Sequence, residues 1–197
     1  MIILLMNQMK LMHKIGLDEL IAGCRSGNRK AQQGLYDHFA SKMLGVCMRY
    51  TKDRDEAEDV LQVGFVRMFE KLHLFKGDGS FEGWLRRIMV NTAIEFYRRN
   101  SRMYPVVDIE EAANESSFDL AISTINAKDI LKLVQQLPPG YRMVFNMYAI
   151  EGYSHKEIAE QMGISEGTSK SQLARARTQL KEWLLNMEGG NNVATIR

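Results

Sequence analysis

The 197-residue sequence has two cysteines, three prolines and four histidines, and each scarcity excludes something. Cys24 and Cys47 lie in apolar helical patterns and read as buried free thiols, not as a disulfide framework or a metal-ligand pair, which suits a reducing compartment. With three prolines, long stretches are free of helix breakers. No apolar run approaches the roughly 18 residues that a membrane span needs. Residues 1–6, MIILLM, are apolar but too short for a signal-peptide core, and no small-residue cleavage site follows. The expectation is a soluble, cytoplasmic protein with an N-terminal extension over residues 1–14, in which Met6, Met9 and Met12 are alternative starts. No alternating strand pattern and no internal repeat occurs. The histidines His13, His38, His73 and His155 are scattered, and no nucleophile motif, phosphate loop or metal spacing appears. No catalytic residue, metal, cofactor or small-molecule substrate is therefore expected.

Charge is nearly balanced, at a formal net +2, but unevenly spread. Residues 1–100 carry 16 Lys and Arg against 12 Asp and Glu, residues 101–126 carry 1 against 5, and residues 127–197 carry 9 against 7. Two mildly basic blocks flank an acidic connector. Basic blocks favour a polyanionic partner, and an acidic tether stays off it.

The most informative stretch is residues 153–181, YSHKEIAEQMGISEGTSKSQLARARTQLK. Ser154 and Glu157 have the spacing of a capping box, so a helix begins there. Ile158, Ala159 and Met162 form its inner face, and Gly163 ends it in the left-handed conformation that a sharp stop requires. Ser165 caps a second helix, whose Leu173, Ala176, Leu180 and Leu184 recur at helical spacing. The outer face is expected to carry Thr168, Ser171, Gln172 and Arg175, flanked by Lys170, Arg177 and Lys181. In a helix-turn-helix such a second helix enters the major groove, where Arg and Gln pair with base edges and Lys and Arg neutralise phosphates. The competing reading is a surface hairpin with a solvated face.

Elsewhere the periodicity predicts helices over residues 17–26, 29–50, 55–74, 80–100, 128–137 and 141–150. The first turns of the 55–74 helix are acidic, which by itself suits the helix dipole. The 80–100 helix interleaves Phe81, Trp84, Phe96 and Tyr97 with Arg86, Arg87, Arg98 and Arg99. Aromatics beside cations are what unstacked bases need, although buried rings with solvated arginines give the same pattern. Residues 101–126 read as a flexible acidic linker and residues 187–197 as a frayed tail. The fold class is all-α, with two small helical domains at 15–100 and 127–186.

Three segments, in order, together resemble one family, the extracytoplasmic-function sigma factors of the sigma-70 family. DEAEDVLQVGFVRMFEKL resembles the family's polymerase-binding helix. FKGDGSFEGWLRRIMVNTAIEFYRR resembles its promoter-melting segment, and LPPGYRMVFNMYAIEGYSHKEIAEQMGISEGTSKSQLARAR its reader of the upstream promoter element. The resemblance implies sigma region 2 at 15–100 and region 4 at 127–186. It implies docking of Asp55, Glu56, Glu58, Asp59, Gln62 and an exposed Phe65 on a coiled coil of the largest subunit of core RNA polymerase, with a further contact to the polymerase flap. It also implies capture and melting of the minus-ten element by Phe75, Trp84, Arg86, Arg87, Asn91, Arg98 and Arg99. The minus-thirty-five element would be contacted by Ser154, Lys156, Thr168, Lys170, Ser171, Gln172, Arg175 and Arg177. Partners implied are core polymerase, promoter DNA and an anti-sigma factor.

Three departures bear on this reading. Ser169 stands where Val or Ile is usual, so its packing is expected to be weaker. Gln172 replaces a common arginine, and Val63-Gly64 replaces an acidic-small pair on the docking helix. The rival function is a stand-alone helix-turn-helix regulator, which has no need of the aromatic-basic 80–100 helix.

Overall fold

The computed structural model describes residues 16–103 and 127–193. The N-terminal extension, nearly all of the acidic connector and the last four residues lie outside the described residues. Eight α-helices are present among the described residues: α1 (Leu17–Arg25), α2 (Arg29–Met48), α3 (Arg54–Lys71), α4 (Phe81–Met103), α5 (Ala127–Gln136), α6 (Pro139–Phe145), α7 (His155–Met162) and α8 (Glu166–Val193). A 3₁₀ turn, Leu72–Leu74, follows α3, and a π turn, Asn146–Ile150, follows α6. No strand occurs among the described residues, and none of the described helices is long and apolar enough to cross a membrane.

Two compact units emerge. The first holds the described residues up to Cys47 together with Glu58–Thr92. Its core takes Leu35, Phe39 and Met43 from α2 and Val60, Leu61 and Met68 from α3, as helical spacing predicts, and adds Leu85 and Met89 from α4; all are buried. Asn28 caps α2 through its side-chain carbonyl, which accepts from the amides of Lys30 at 2.9 Å and Ala31 at 3.3 Å. Ser80 caps α4 by accepting from the Gly83 amide at 3.1 Å. Helix α3 packs on α4 at Gly64, where an added Cβ would lie 2.3 Å from the Met89 sulfur. The expected acidic-small pair thus keeps its small member, for a packing reason. Both thiols are free and buried, and burial pushes the Cys24 thiol up from its ordinary value.

The second unit joins Met48–Ala57 to the described residues from Ala93 onward. Leu133, Val134, Leu137, Met143, Val144, Met147, Ile158, Leu173, Ala176 and Leu180 form its core. A polar network lies within that core. The Arg142 guanidinium is buried and donates to the carbonyls of Gln135 at 2.6 Å and Tyr50 at 3.2 Å. The Asn146 amide donates to the carbonyls of Arg49 at 2.7 Å and Arg142 at 2.8 Å, and Gln135 donates to the Met48 carbonyl at 3.0 Å. These side chains satisfy the carbonyls just where α2 ends, groups that no helical partner reaches. Burial lowers the Arg142 pKa, against the opposing pull of Glu56, Asp53 and Tyr97.

Most expected elements are found, with shifts at their ends. The 55–74 helix closes as a 3₁₀ turn, and the 141–150 helix begins at Pro139, where a proline suits the first helical position. Leu133 joins the buried face of α5, whereas Ile130 and Leu131 are only half-buried. The largest difference is at the tail. Helix α8 runs through Gly189-Gly190 to Val193. Once a helix is anchored by packed residues such as Leu180 and Leu184, extension adds one bond per residue and two glycines do not stop it.

Candidate nucleic-acid interface

Helices α7 and α8 form the anticipated turn. The Ser154 hydroxyl accepts from the Glu157 amide at 3.3 Å, while the Glu157 carboxylate accepts from the Ser154 amide at 2.8 Å and hydroxyl at 2.7 Å. The Ser154 backbone bond, then its hydroxyl, hold the Glu157 carboxyl below the usual carboxylate range. Gly163 ends α7 at φ 71°, in the left-handed region. Ser165 caps α8, accepting from the Thr168 amide at 2.9 Å.

The exposed face of α8 is rotated from the expected one. Thr168 and Gln172 are each only 9% exposed. Thr168 turns back so that its hydroxyl lies 2.9 Å from that of Ser165. Gln172 packs on Gly140, where an added Cβ would meet its Oε1 at 3.1 Å; the bare glycine leaves room for the amide. Both are therefore corrected from outer-face positions to inner ones. Ser169 is fully buried, and its hydroxyl lies 2.9 Å from Nδ1 of His155. A hydroxyl replaces apolar packing at this contact. His155 stacks on Tyr148 at 4.6 Å and 22°, and Arg177 lies 5.7 Å over the same ring, which belongs to the π turn ahead of α7.

Lys156 and Lys170 are exposed, and Ser171 and Arg175 half-buried. The Ser171 hydroxyl donates to the Thr168 carbonyl at 3.0 Å, and Arg175 donates to the Tyr141 hydroxyl at 3.4 Å.

On α4, Trp84, Arg87 and Asn91 follow the three-four spacing of one helical face. Trp84 is half-buried, and Arg87 and Asn91 are exposed. Phe75, Phe81 and Trp84 form an aromatic cluster, with Phe75–Phe81 at 5.2 Å, Phe75–Trp84 at 5.3 Å and Phe81–Trp84 at 5.6 Å between ring centres. Phe81 is the buried member and also meets Phe39 at 5.4 Å. Two of the rings, Phe75 and Trp84, line a cleft of about 420 Å³ whose walls also include Lys76, Asp78, Ser80 and Arg87. Asn91 and Arg86 are not in its lining. Arg98 and Arg99 follow on the same helix, and Arg99 pairs with Glu95 at 2.8 Å.

The acidic helix α3 also departs from expectation at its aromatic. Phe65 is only 3% exposed, covered by Tyr36 at 4.6 Å and Phe69 at 6.4 Å, so it is core and not a docking ring. The apolar part of the surface comes instead from Val63 and Val66, 46% and 57% exposed. Asp55, Asp59, Gln62 and Val66 recur at helical spacing on the exposed side. A valine continuing an otherwise polar stripe was the available signal. Glu58 is half-buried. Glu56 is engaged locally, pairing with the Lys52 ammonium at 3.1 Å; its hydrogen bond and charge raise the Lys52 pKa. No group of three or more metal-ligating side chains occurs among the described residues.

Known proteins match along both halves. Residues 35–103 match the family model for sigma-70 region 2, and residues 127–180 that for sigma-70, region 4. The RNA polymerase sigma-H factor of Pseudomonas aeruginosa is 29% identical over 180 residues, covering 84% of this chain and 92% of that protein. The ECF RNA polymerase sigma-E factor of Escherichia coli is 30% identical over 170 residues, covering 80% and 88%. Among solved structures, the sigma factor RpoE of Bartonella quintana, in complex with the anti-sigma factor NepR, is 23% identical and covers 76% of this chain and 93% of that one, with a TM-score of 0.46. Region 2 and region 4 in this order, with sigma-E relatives matched over most of their length, make this chain a member of the extracytoplasmic-function group of sigma-70 factors, the RNA polymerase sigma factors of transcription initiation.

Proposed function

We propose that the chain divides its work as follows. Residues 15–100 bind core RNA polymerase and open the minus-ten element, residues 127–186 hold the minus-thirty-five duplex and the polymerase flap, and residues 101–126 tether the two. Asp55, Asp59 and Gln62, with Val63 and Val66 beside them, are the docking face for the coiled coil of the largest subunit. An acidic stripe with an apolar seam complements a basic coiled coil. Promoter strand opening uses the aromatic-floored cleft on α4. A ring floor accepts the face of an unstacked base, Arg87 and Lys76 neutralise phosphates, and Asn91 lies two turns from Trp84, where its amide hydrogen-bonds a base edge. Unstacking costs a few kcal/mol, which polymerase docking and base capture supply together. Lys156, Lys170 and Arg175 contact the upstream duplex. Family membership alone supports an anti-sigma partner. The protein recognises and opens DNA; bond chemistry stays with the polymerase.

The observation that carries this reading is the open cleft lined by the rings of Phe75 and Trp84 together with the cations Lys76 and Arg87. A duplex-only binder has no use for it. The test is permanganate footprinting of holoenzyme on a promoter selected by run-off transcription of genomic fragments. Trp84→Ala and Asn91→Ala should assemble with core normally yet leave the start region unreactive. Normal footprints with both variants would refute the assignment.

A further inference from the structure

The loop that carries Phe75 has open space on both sides. One side is the base-capture cleft. The other is a second cleft of about 630 Å³ lined by Cys24, Arg25, Phe69, Leu72, His73, Phe75 and Lys76. Phe75 and Lys76 belong to both linings, so this short segment is a partition. A wall with a void on each face lacks the packing that holds most side chains in place. Two other kinds of contact hold it. Its ring leans on Phe81 and Trp84. Its backbone is tied at the amide, which donates to the Leu72 carbonyl at 3.2 Å, and at the carbonyl, which accepts from the guanidinium of Arg25, fifty residues earlier in the chain.

Arg25 closes α1, and Leu20, Ile21 and Cys24 bury that helix in the first unit. A basic residue in a last turn commonly serves its own helix's free carbonyls. Here the α1 end is closed by backbone bonds instead, Ser26 N–H to Ala22 and Gly27 N–H to Cys24. That leaves the guanidinium available to the loop, and a charged donor to a carbonyl is a strong bond of its type. We propose that Arg25 is a positioning residue for base capture: anchored by α1, it fixes the Phe75 wall of the cleft so that the ring is set against Trp84 before DNA arrives. This rests on the reading of that cleft as the minus-ten base site, and it assigns a promoter-opening role to α1, which precedes the residues matched to sigma-70 region 2.

The test uses holoenzyme and fork-junction DNA, with the exposed strand carrying either its natural base or an abasic site at each minus-ten position in turn. Wild type should bind natural forks more tightly than the fork lacking the captured base. Arg25→Ala should lose about five- to tenfold on the natural fork and nothing on that abasic fork, with core affinity unchanged. Arg25→Lys, which keeps a donor but a less rigid one, should fall between. An equal loss for Arg25→Ala on both forks would mean a phosphate contact and overturn the proposal. So would wild-type affinity on the natural fork. If wild type itself fails to distinguish any abasic fork, the cleft reading fails and this inference with it; if wild type discriminates and Arg25→Ala does so equally, only this inference fails.

Discussion

Gly64→Ala should change sign with its background. Gly64 lies on α3 against α4, and its new methyl would sit 2.3 Å from the Met89 sulfur and 3.0 Å from the Met89 terminal carbon. Ordinary contact begins at 3.4 Å, so something must move by about 1.1 Å. Met89 is fully buried and not at liberty to swing into solvent. Overpacking of this kind costs about 1–3 kcal/mol. Against that stands the gain from replacing a mid-helix glycine with alanine, about 0.5–1 kcal/mol. The steric cost wins, and Gly64→Ala should destabilise the chain by up to about 2 kcal/mol. In a Met89→Ala background, itself about 2–5 kcal/mol less stable, the obstacle is gone. There Gly64→Ala should stabilise by about 0.5–1 kcal/mol. Urea unfolding of all four proteins, followed by far-UV circular dichroism, gives a coupling of about 1–3 kcal/mol. Zero coupling, with alanine stabilising in both backgrounds, would refute the claim that the helix contact is set by that glycine. The proposed docking face is on the same helix, so wild-type background Gly64→Ala should also weaken core binding if α3 moves to relieve the clash.

Three further outcomes can be checked. Arg142→Met removes a buried cation that serves the Gln135 and Tyr50 carbonyls and should cost about 3 kcal/mol or more; an unchanged urea midpoint would contradict the network. Because folding lowers the Glu157 pKa, the cap's contribution is complete above the ordinary carboxylate range and lost as pH falls through the lowered folded value. NMR titration should find Glu157 low in wild type and only partly restored in Ser154→Ala, since the larger backbone bond survives; no change would remove the hydroxyl from the account. Val66→Asp should leave stability within about 0.5 kcal/mol, because the side chain is exposed, yet reduce core-polymerase affinity about tenfold or more in competition binding.

What could be read from the sequence was mostly local. Ser154, Glu157 and Gly163 announce their helix because caps are satisfied within a few residues of chain. The inward stripes of α2, α3 and α8 follow from spacing alone. What could not be read needed a partner far along the chain. Gln172 is buried because Gly140 has no side chain to keep it out; Phe65, by contrast, keeps the three-four spacing of Leu61, Met68 and Leu72, and it is the family resemblance, not the periodicity, that turns it outward. Arg142 and Asn146 interrupt an apolar run four residues apart, a pattern that marks a polar network but does not say which carbonyls it serves. The π turn after Phe145 has no sequence signature of its own.

The same distinction decides how region 4 reads DNA. The first turn of a recognition helix has free backbone amides of its own, and short polar side chains are drawn to them. On α8, Ser165 and Thr168 bond to each other, Ser171 bonds to the Thr168 carbonyl, and Gln172 is buried. Lysines carry charge to phosphates and little base information. Under the proposed function, direct discrimination in the upstream element therefore falls mainly on Arg175, whose guanidinium can pair with a guanine edge, and the remainder on duplex shape. On a set of single-substitution promoters, Lys170→Ala should lower holoenzyme binding by one common factor, leaving the order of sequences intact. Arg175→Ala should cost about 1–3 kcal/mol on the best sequence and much less on those already mismatched at one position, flattening the profile there. Parallel losses from both variants would make Arg175 a phosphate contact and leave shape as the sole source of selectivity in that element.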